Sequence, residues 1–549
     1  MSINLLNMRG LFTCLLLLAG LEAMPQETFY KFWVQLTDKD HNEYSIDRPE
    51  EFLSQRSLDR RTRQEIQISE QDLPVSDAYL DSLGEYPLKI LYSSKWLNAA
   101  VVRTTDSSLA NAISDLSFVS DVEYLYRSNL TKKSSMNKWD AIAEGEVLPS
   151  DHQVEMLQGH VLHEQGYKGE GMLIAVLDGG FANADTISGF DSLFMTGRIL
   201  GTRSYVEPDS NFFFGGNGSH GTNVLSTMGG DVPGQFRGSA PKASYYLMQT
   251  EDTWTEFRIE EANWLAGAEL ADSLGADVIN TSLGYSVGFS DELHNYTYSE
   301  MDGKTTLVTR AAQMAATKGI AVVTSAGNSG RPENPWVYIT APSDGDSVLA
   351  IGAVDAFGYR AVFSSRGPSA DGRIKPDVMA QGVQTWLIRS SGLVSQGNGT
   401  SFSSPVTAGL VACLWQKNRD ISNYQLIESI RSSGSLNPYP DSLYGYGIPN
   451  FSLANDIITG NELIVFSSPT LTIFPNPALD HITISANQYP PGVSTYEIYD
   501  IRGRRITGGK IVTFPKKNTP IPIQFLSEGS YVIVVSSAGR VARGMFIKL

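Results

Sequence analysis

Apolar and polar positions follow three successive patterns along the chain. In residues 28–126 they alternate over short stretches interrupted by two helical repeats. Phe29 to Leu36 predicts a strand. Pro49 to Glu65 predicts a helix, with Glu50 and Glu51 in its first turn and Arg60, Arg61 and Arg63 near its end, as the helix dipole favours. Lys89 to Thr104 holds two strand-like runs, Ser108 to Leu116 a second helix and Asp121 to Tyr126 a last strand. The order β-α-β-β-α-β predicts a ferredoxin-like α+β unit.

From residue 150 to 460 the apolar residues gather into unbroken runs. Leu173-Ile174-Ala175-Val176-Leu177 ends at Asp178, Asp277-Val278-Ile279-Asn280 at Thr281-Ser282, and Ile320-Ala321-Val322-Val323 at Ser325, while Ser347 to Val354 is a fourth run. Strands without alternation are buried on both faces, as in a parallel sheet. Phe257 to Leu274 and Leu307 to Lys318 have helical spacing, and Gly319 suits the end of the second. The pattern predicts an α/β domain with a doubly wound, mostly parallel sheet and a site at the carboxyl ends of its strands. Residues 464–549 return to short strands, Ile482–Ser485, Tyr496–Tyr499 and Tyr531–Val535. Arg502-Gly503, Gly508-Gly509 and Ala538-Gly539 read as turns between strands, which predicts a small all-β sandwich.

The first residues differ from all three. One cation, Arg9, precedes an apolar run from Leu11 to Leu21 and an imperfect cleavage site at Leu21-Glu22-Ala23. The run is too short for a membrane span and suits a signal peptide over residues 1–23. No other stretch reaches about 18 apolar residues, so no transmembrane helix is predicted. Of the two cysteines, Cys14 leaves with the signal peptide and Cys413 remains, so no internal disulfide is expected. The net charge of -17 argues against non-specific nucleic-acid binding. Its distribution is uneven: residues 140–463 hold 18 Lys and Arg against 36 Asp and Glu, whereas residues 464–549 hold 9 against 4. The acidity belongs to the α/β segment.

The candidate chemistry is spread over four short motifs. His220, one of seven histidines, stands in Asn217-Gly218-Ser219-His220-Gly221-Thr222, where flanking glycines let a substrate backbone come close. Asp178 ends a buried strand ahead of Gly179-Gly180, where a carboxylate can hold an imidazole in one tautomer, although a plain turn Asp reads the same way. Ser401 lies in Gly397-Asn398-Gly399-Thr400-Ser401-Phe402-Ser403-Ser404-Pro405, before an apolar helix from Val406 to Trp415. It reads as an N-cap or as a nucleophile whose backbone N–H helps hold an oxyanion, with Ser403 and Ser404 as local competitors. Asn328, in Ser325-Ala326-Gly327-Asn328-Ser329-Gly330, supplies an amide donor or an Asn-rich turn.

Taken together, the order Asp, His, Asn, Ser resembles the subtilisin-like serine proteases over residues 150–460. The matching segments are Leu177-Asp178-Gly179-Gly180, His220-Gly221-Thr222, and Gly399 to Pro405. Tyr446-Gly447-Ile448-Pro449-Asn450 resembles the closing segment of that domain. The resemblance implies Asp178, His220 and Ser401 as a catalytic triad, with Asn328 and the N–H of Ser401 as the oxyanion hole. It places Ser282-Leu283-Gly284 and Ser325-Ala326-Gly327 along the substrate and Thr340 near the base of the primary pocket, where no charged residue is evident. Val406 departs from the His often found after the Pro of this motif, which lies outside the triad. No cofactor is implied for the chemistry. Structural calcium is compatible with the family but unassigned, and Asp185, Asp191 and Asp209 read as solvated loop acids.

Residues 27–127 occupy the place of the family's propeptide, and Leu53 to Arg61 resembles the propeptides of such enzymes from Bacteroidota. That implies an inhibitory, folding-assisting domain cut away in a linker over residues 128–149. Residues 464–549 carry Ile473-Phe474-Pro475-Asn476-Pro477, Tyr499 to Gly503 and Leu526 to Val532, ending Phe546-Ile547-Lys548-Leu549. These resemble the C-terminal sorting domain of the type IX secretion system, which implies that machinery as partner and an outer-membrane surface or extracellular destination. The expected function is a secreted or cell-surface serine endopeptidase acting on proteins or peptides. The alternative is a catalytically silent relative used in surface binding or adhesion. An esterase would instead show a Gly-x-Ser-x-Gly elbow and the order Ser, Asp, His.

Overall fold

The computed structural model describes residues 28–128, 149–206, 208, 210–214, 216, 218–460, 472–485, 492–500, 504–513, 519–537 and 540–549. The signal peptide, the linker with its processing site, Asp209, and the turns Arg502-Gly503 and Ala538-Gly539 lie outside them. The chain forms two compact units, Met1–Ile458 and Thr459–Leu549.

The first unit opens with β1 (Tyr30–Leu36), β2 (Lys89–Ser94), β3 (Ala99–Thr104) and β4 (Val119–Arg127). They form an antiparallel sheet in the order β2-β3-β1-β4, the ferredoxin-like arrangement read from the sequence. A helix at Asp77–Gly84 was not foreseen. The segment expected as one helix from Pro49 to Glu65 is instead a 3₁₀ turn, Pro49–Glu51, followed by a helix, Gln55–Arg63. The break falls at Ser54, whose hydroxyl caps the second helix by accepting from the Ser57 N–H at 3.2 Å. Glu50 and Glu51 therefore precede the helix rather than occupying its first turn.

The alternation of β1 and β3 serves two cores. Phe32, Val34, Leu36, Ala100 and Val102 face the domain's own helices. Trp33, Ala99 and Val101 point the other way and share a core with the α/β domain. Arg60 and Arg61, read as complements of the helix dipole, are buried. Arg60 donates to Asp272 Oδ1 at 2.5 Å and to the carbonyls of Ala276 (2.6 Å) and Lys318 (3.1 Å). Arg61 pairs with Asp272 Oδ2 at 2.9 Å and Asp72 at 2.8 Å, and Lys95 with Asp272 at 3.2 Å. Arg60 thus closes carbonyls beyond the ends of two α/β-domain helices, where unpaired acceptors collect. Burial alone would raise the Asp272 carboxyl, but Lys95, Arg61 and Arg60 hold it below its ordinary value.

The α/β domain carries β5 (Leu173–Asp178), β6 (Ile199–Ser204), a ribbon of β7 (Asp231–Val232) and β8 (Phe236–Arg237), then β9 (Ser244–Gln249), β10 (Val278–Thr281), β11 (Ala321–Ser325), β12 (Leu349–Val354) and β13 (Val378–Gln381). Seven of these make one parallel sheet in the order β13-β12-β11-β10-β5-β9-β6. Helices His220–Gly229 and Thr400–Lys417 pack with one core, and Ile259–Leu274 and Leu307–Thr317 with the other. A hairpin, β14 (Thr385–Ile388) and β15 (Val394–Gly397), precedes the Thr400 helix. The edge strands β6 and β13 and the mixed strand β9 escaped the pattern because they are short, polar or Tyr-rich.

The second unit is a sandwich of two sheets. One joins β16 (Thr472–Phe474), β17 (His481–Ser485) and β20 (Thr519–Pro522). The other joins β18 (Gly492–Asp500), β19 (Arg505–Thr513), β21 (Gly529–Ser537) and β22 (Arg540–Lys548). Ile482, Ile484, Ile498, Ile533, Val535 and Phe546 fill its core. Gly508-Gly509, expected as a turn, lies inside β19 opposite Glu497 and Tyr496. The Tyr496 ring covers Gly509 so closely that a Cβ there would lie 2.9 Å from it, so the glycine marks a packing contact.

Candidate active site

Asp178 ends β5 with its side chain wholly buried. Its Oδ1 accepts from the Gly179 N–H at 2.7 Å and lies 2.7 Å from His220 Nδ1. His220 begins its helix, three residues earlier than the apolar run Asn223 to Met228 suggested. The two meet because the glycines beside them allow contact: a Cβ on Gly221 would lie 2.6 Å from the Gly180 carbonyl.

Ser401 is the second residue of the Thr400–Lys417 helix, and the N-cap is Gly399. The helix begins well before Val406, so Ser401 is not the N-cap. Its competitors point elsewhere: Ser403 Oγ donates to the Thr400 carbonyl at 3.1 Å and Ser404 Oγ to Asn280 Oδ1 at 3.1 Å. Ser401 Oγ instead lies 3.5 Å from the Ser282 carbonyl. Its neighbour Phe402 sets its ring 6.0 Å from the His220 imidazole. Pro405 has no N–H to offer the Ser401 carbonyl, and Ser282 Oγ donates to that carbonyl at 2.9 Å instead.

Asn328 follows β11. Its Oδ1 accepts from both the N–H and the hydroxyl of Thr400 at 2.9 Å, which fixes the amide plane. Gly399 has a φ of +150°, which disfavours any side chain. A Cβ there would sit 3.5 Å from Asn328 Nδ2 and 3.6 Å from the Ser401 N. Two donors therefore converge on a point that glycine keeps open, and the first-turn N–H of Ser401 adds the positive end of the helix dipole. Thr400 and Gly399 were passed over as site residues, although both stand in the motif.

Ser282, Leu283 and Gly284 continue β10, and Ser325, Ala326 and Gly327 run from the end of β11. Thr340 joins the two strips: a Cβ on Gly284 would collide with its Oγ1, and one on Gly327 would lie 3.2 Å from it. Asp185 and Asp191 are exposed. Among the described residues, Glu251, Glu256 and Glu260 bring carboxylate oxygens within 4.8 Å of one another, and the Tyr285 hydroxyl donates to Glu251. Cys413 is buried, and burial pushes its thiol far up.

Comparison with known proteins assigns a family to each of the three segments. The Subtilase family matches residues 169–447, the Peptidase S8 propeptide domain of Bacteroidota residues 31–140, and the secretion system C-terminal sorting domain residues 472–548. Subtilisin DY of Bacillus licheniformis is 31% identical over 307 residues, covering 55% of this chain and 97% of its own length. Subtilisin E of Bacillus subtilis (strain 168) is 28% identical over 378 residues, covering 68% and 85%. Serine protease AprX of the same strain is 29% identical over 320 residues, covering 53% and 67%.

The chain is a serine endopeptidase built on a parallel α/β sheet, preceded by its own propeptide. It belongs to the subtilase family, peptidase family S8. The C-terminal domain marks it for type IX secretion to the cell surface or the extracellular space. No helix among the described residues is long and apolar enough to cross a membrane.

Proposed function

We propose that Asp178, His220 and Ser401 form the catalytic triad and that peptide bonds are cleaved through an acyl-enzyme. The observation that carries this reading is that Asn328 Nδ2 and the Ser401 N both border the space Gly399 leaves, while a His220 bonded to Asp178 stands 6.0 Å from the ring of Phe402, the residue after Ser401. Asp178 Oδ1 accepts a hydrogen bond from Nδ1–H, which keeps the proton on Nδ1 and leaves Nε2 as the basic nitrogen of the ring. His220 accepts the Ser401 proton as Oγ attacks the carbonyl carbon, then gives it to the leaving amine. Asn328 and the Ser401 N–H receive the oxyanion, each donor worth about 10²–10³ in rate. Water, deprotonated by His220, then releases the acyl group and restores Ser401.

The strips Ser282–Gly284 and Ser325–Gly327 lie beside Ser401 and suit an extended substrate backbone. The propeptide blocks the cleft until cut in residues 128–149, and the sorting domain is removed after passage through the type IX machinery. The test is degradation of casein by the full-length chain and its Ser401→Ala variant, with N-terminal sequencing of products. The parent cleaves and matures, while the variant folds, stays uncut and is inert. Full activity in the variant refutes the assignment.

A further inference from the structure

We propose that Ser282 is a positioning residue for the nucleophile: its hydroxyl holds the Ser401 carbonyl and so sets the direction of both Ser401 Oγ and the Ser401 N–H. This rests on the triad read above. It gives the Ser282 side chain a part separate from that of its backbone, which runs along the substrate strip.

The need arises in the helix. Ser401 is the second residue of Thr400–Lys417, and the N–H four residues on would ordinarily close its carbonyl. That residue is Pro405, which has no N–H. The carbonyl of the nucleophile therefore lacks its regular helical bond. Ser401 is also buried, and a buried carbonyl left open is costly.

The missing donor comes from the end of β10. Ser282 is buried, and its Oγ donates to the Ser401 carbonyl at 2.9 Å. Two residues earlier, Asn280 Oδ1 accepts from Ser404 Oγ at 3.1 Å. Residues two apart share a face of a strand, and residues three apart share a face of a helix. Strand and helix are thus joined by two rungs, and one of them ends on the nucleophile. The Ser282 carbonyl also lies 3.5 Å from Ser401 Oγ, so backbone and side chain of one residue bracket Ser401.

The other side of Ser401 is held as well. Asn328 Oδ1 takes the N–H and the hydroxyl of Thr400, each at 2.9 Å. Thr400 is therefore tied to the loop after β11, and the peptide that follows Ser401 to the end of β10. Between these two ties Ser401 cannot turn its Oγ or its N–H without breaking one of them. A misplacement of about 1 Å at a reacting atom costs about 10² in rate.

The experiment compares the parent, Ser282→Ala, Pro405→Ala and the double variant, each as the full-length chain after its own maturation. Two quantities are read: kcat and KM on a peptide, and the rate of labelling by a serine-directed phosphonate that carries no peptide portion. Ser282→Ala should lower kcat by about tenfold, the size of one net hydrogen bond, and leave KM within about twofold. Labelling should slow by the same factor, although this reagent does not occupy the substrate strips. Pro405→Ala restores an N–H to the Ser401 carbonyl, so adding Ser282→Ala to it should cost less than about twofold. An unchanged kcat in Ser282→Ala, a rise in KM alone, or labelling at the parent's rate overturns the inference and leaves the triad standing. So does a cost of Ser282→Ala that is the same with and without Pro405→Ala. A matured parent that neither cleaves nor labels overturns the triad reading and this inference together.

Discussion

His220 Nδ1 lies 2.7 Å from Asp178 Oδ1, and both side chains are shut away from solvent. The same carboxylate oxygen takes the Gly179 N–H, so its direction is set by the backbone of β5 as well as by the imidazole. Asp178→Asn preserves the shape but offers an NH₂ donor toward Nδ1, which favours the wrong tautomer. We expect kcat to fall by about 10⁴ with little change in KM or in melting temperature. Steady-state kinetics on a peptide substrate checks it, and a fall of less than tenfold contradicts the role given to Asp178.

Asp272 is the shared counter-ion of Arg60, Arg61 and Lys95, all buried between the propeptide and the peptidase helix Ile259–Leu274. Asp272→Asn leaves three cations with one anion fewer in a place water does not reach. In a Ser401→Ala chain, which cannot process itself, the substitution should destabilise the docked precursor by about 3–5 kcal/mol. Denaturant unfolding measures this. An unchanged midpoint would mean that the remaining contacts, such as the core around Trp33 and Val101 and the Glu269 bonds to Ser94, Lys95 and Trp96, hold the propeptide without Asp272.

Glu261 gives a pH dependence with a definite sign. Burial pushes its carboxyl up to about 7, against hydrogen bonds from the Tyr296 hydroxyl at 2.7 Å and the Val308 N–H at 3.1 Å. The folded chain keeps this proton from its unfolded value of 4.5 to about 7, while the unfolded chain has released it. The contribution is full below 4.5 and lost as pH rises through about 7. Glu261→Gln stays neutral throughout. In the Ser401→Ala background the variant's melting temperature should match its parent near 4.5, exceed it increasingly toward about 7, and hold a constant lead above. A difference that does not vary with pH contradicts the assignment.

Much of this was legible in the sequence because it depends on local pattern. Unbroken apolar runs announced β5, β10, β11 and β12, and the candidate site residues stand at the carboxyl ends of the first three. The alternation of β1 and β3 announced strands but not that one face, through Trp33 and Val101, belongs to another domain's core. Arg60 and Arg61 read as dipole complements because nothing local reveals an Asp272 more than 200 residues away. Pro405 was visible as the end of a motif. That its missing N–H would hand the Ser401 carbonyl to Ser282 became apparent only with the two elements side by side. Gly508-Gly509 shows the reverse error, since a strand glycine covered by a facing Tyr ring has the composition of a turn.

The C-terminal sandwich has its own core and is a compact unit by itself, so its loss should leave the protease folded but misdirected. A chain ending at Leu463 is expected to accumulate, active, in the periplasm. Fractionation with a peptide assay checks this, and normal delivery to the surface or medium would remove the sorting role.

Ser401, and no other serine of its motif, is proposed as the nucleophile. The direct measurement is labelling of the matured chain with a serine-directed phosphonate, followed by mass-spectrometric mapping of the adduct. One phosphonyl group is expected, on Ser401, with loss of peptide cleavage in proportion to labelling. An adduct on Ser403 or Ser404, or cleavage that persists in fully labelled protein, would contradict it.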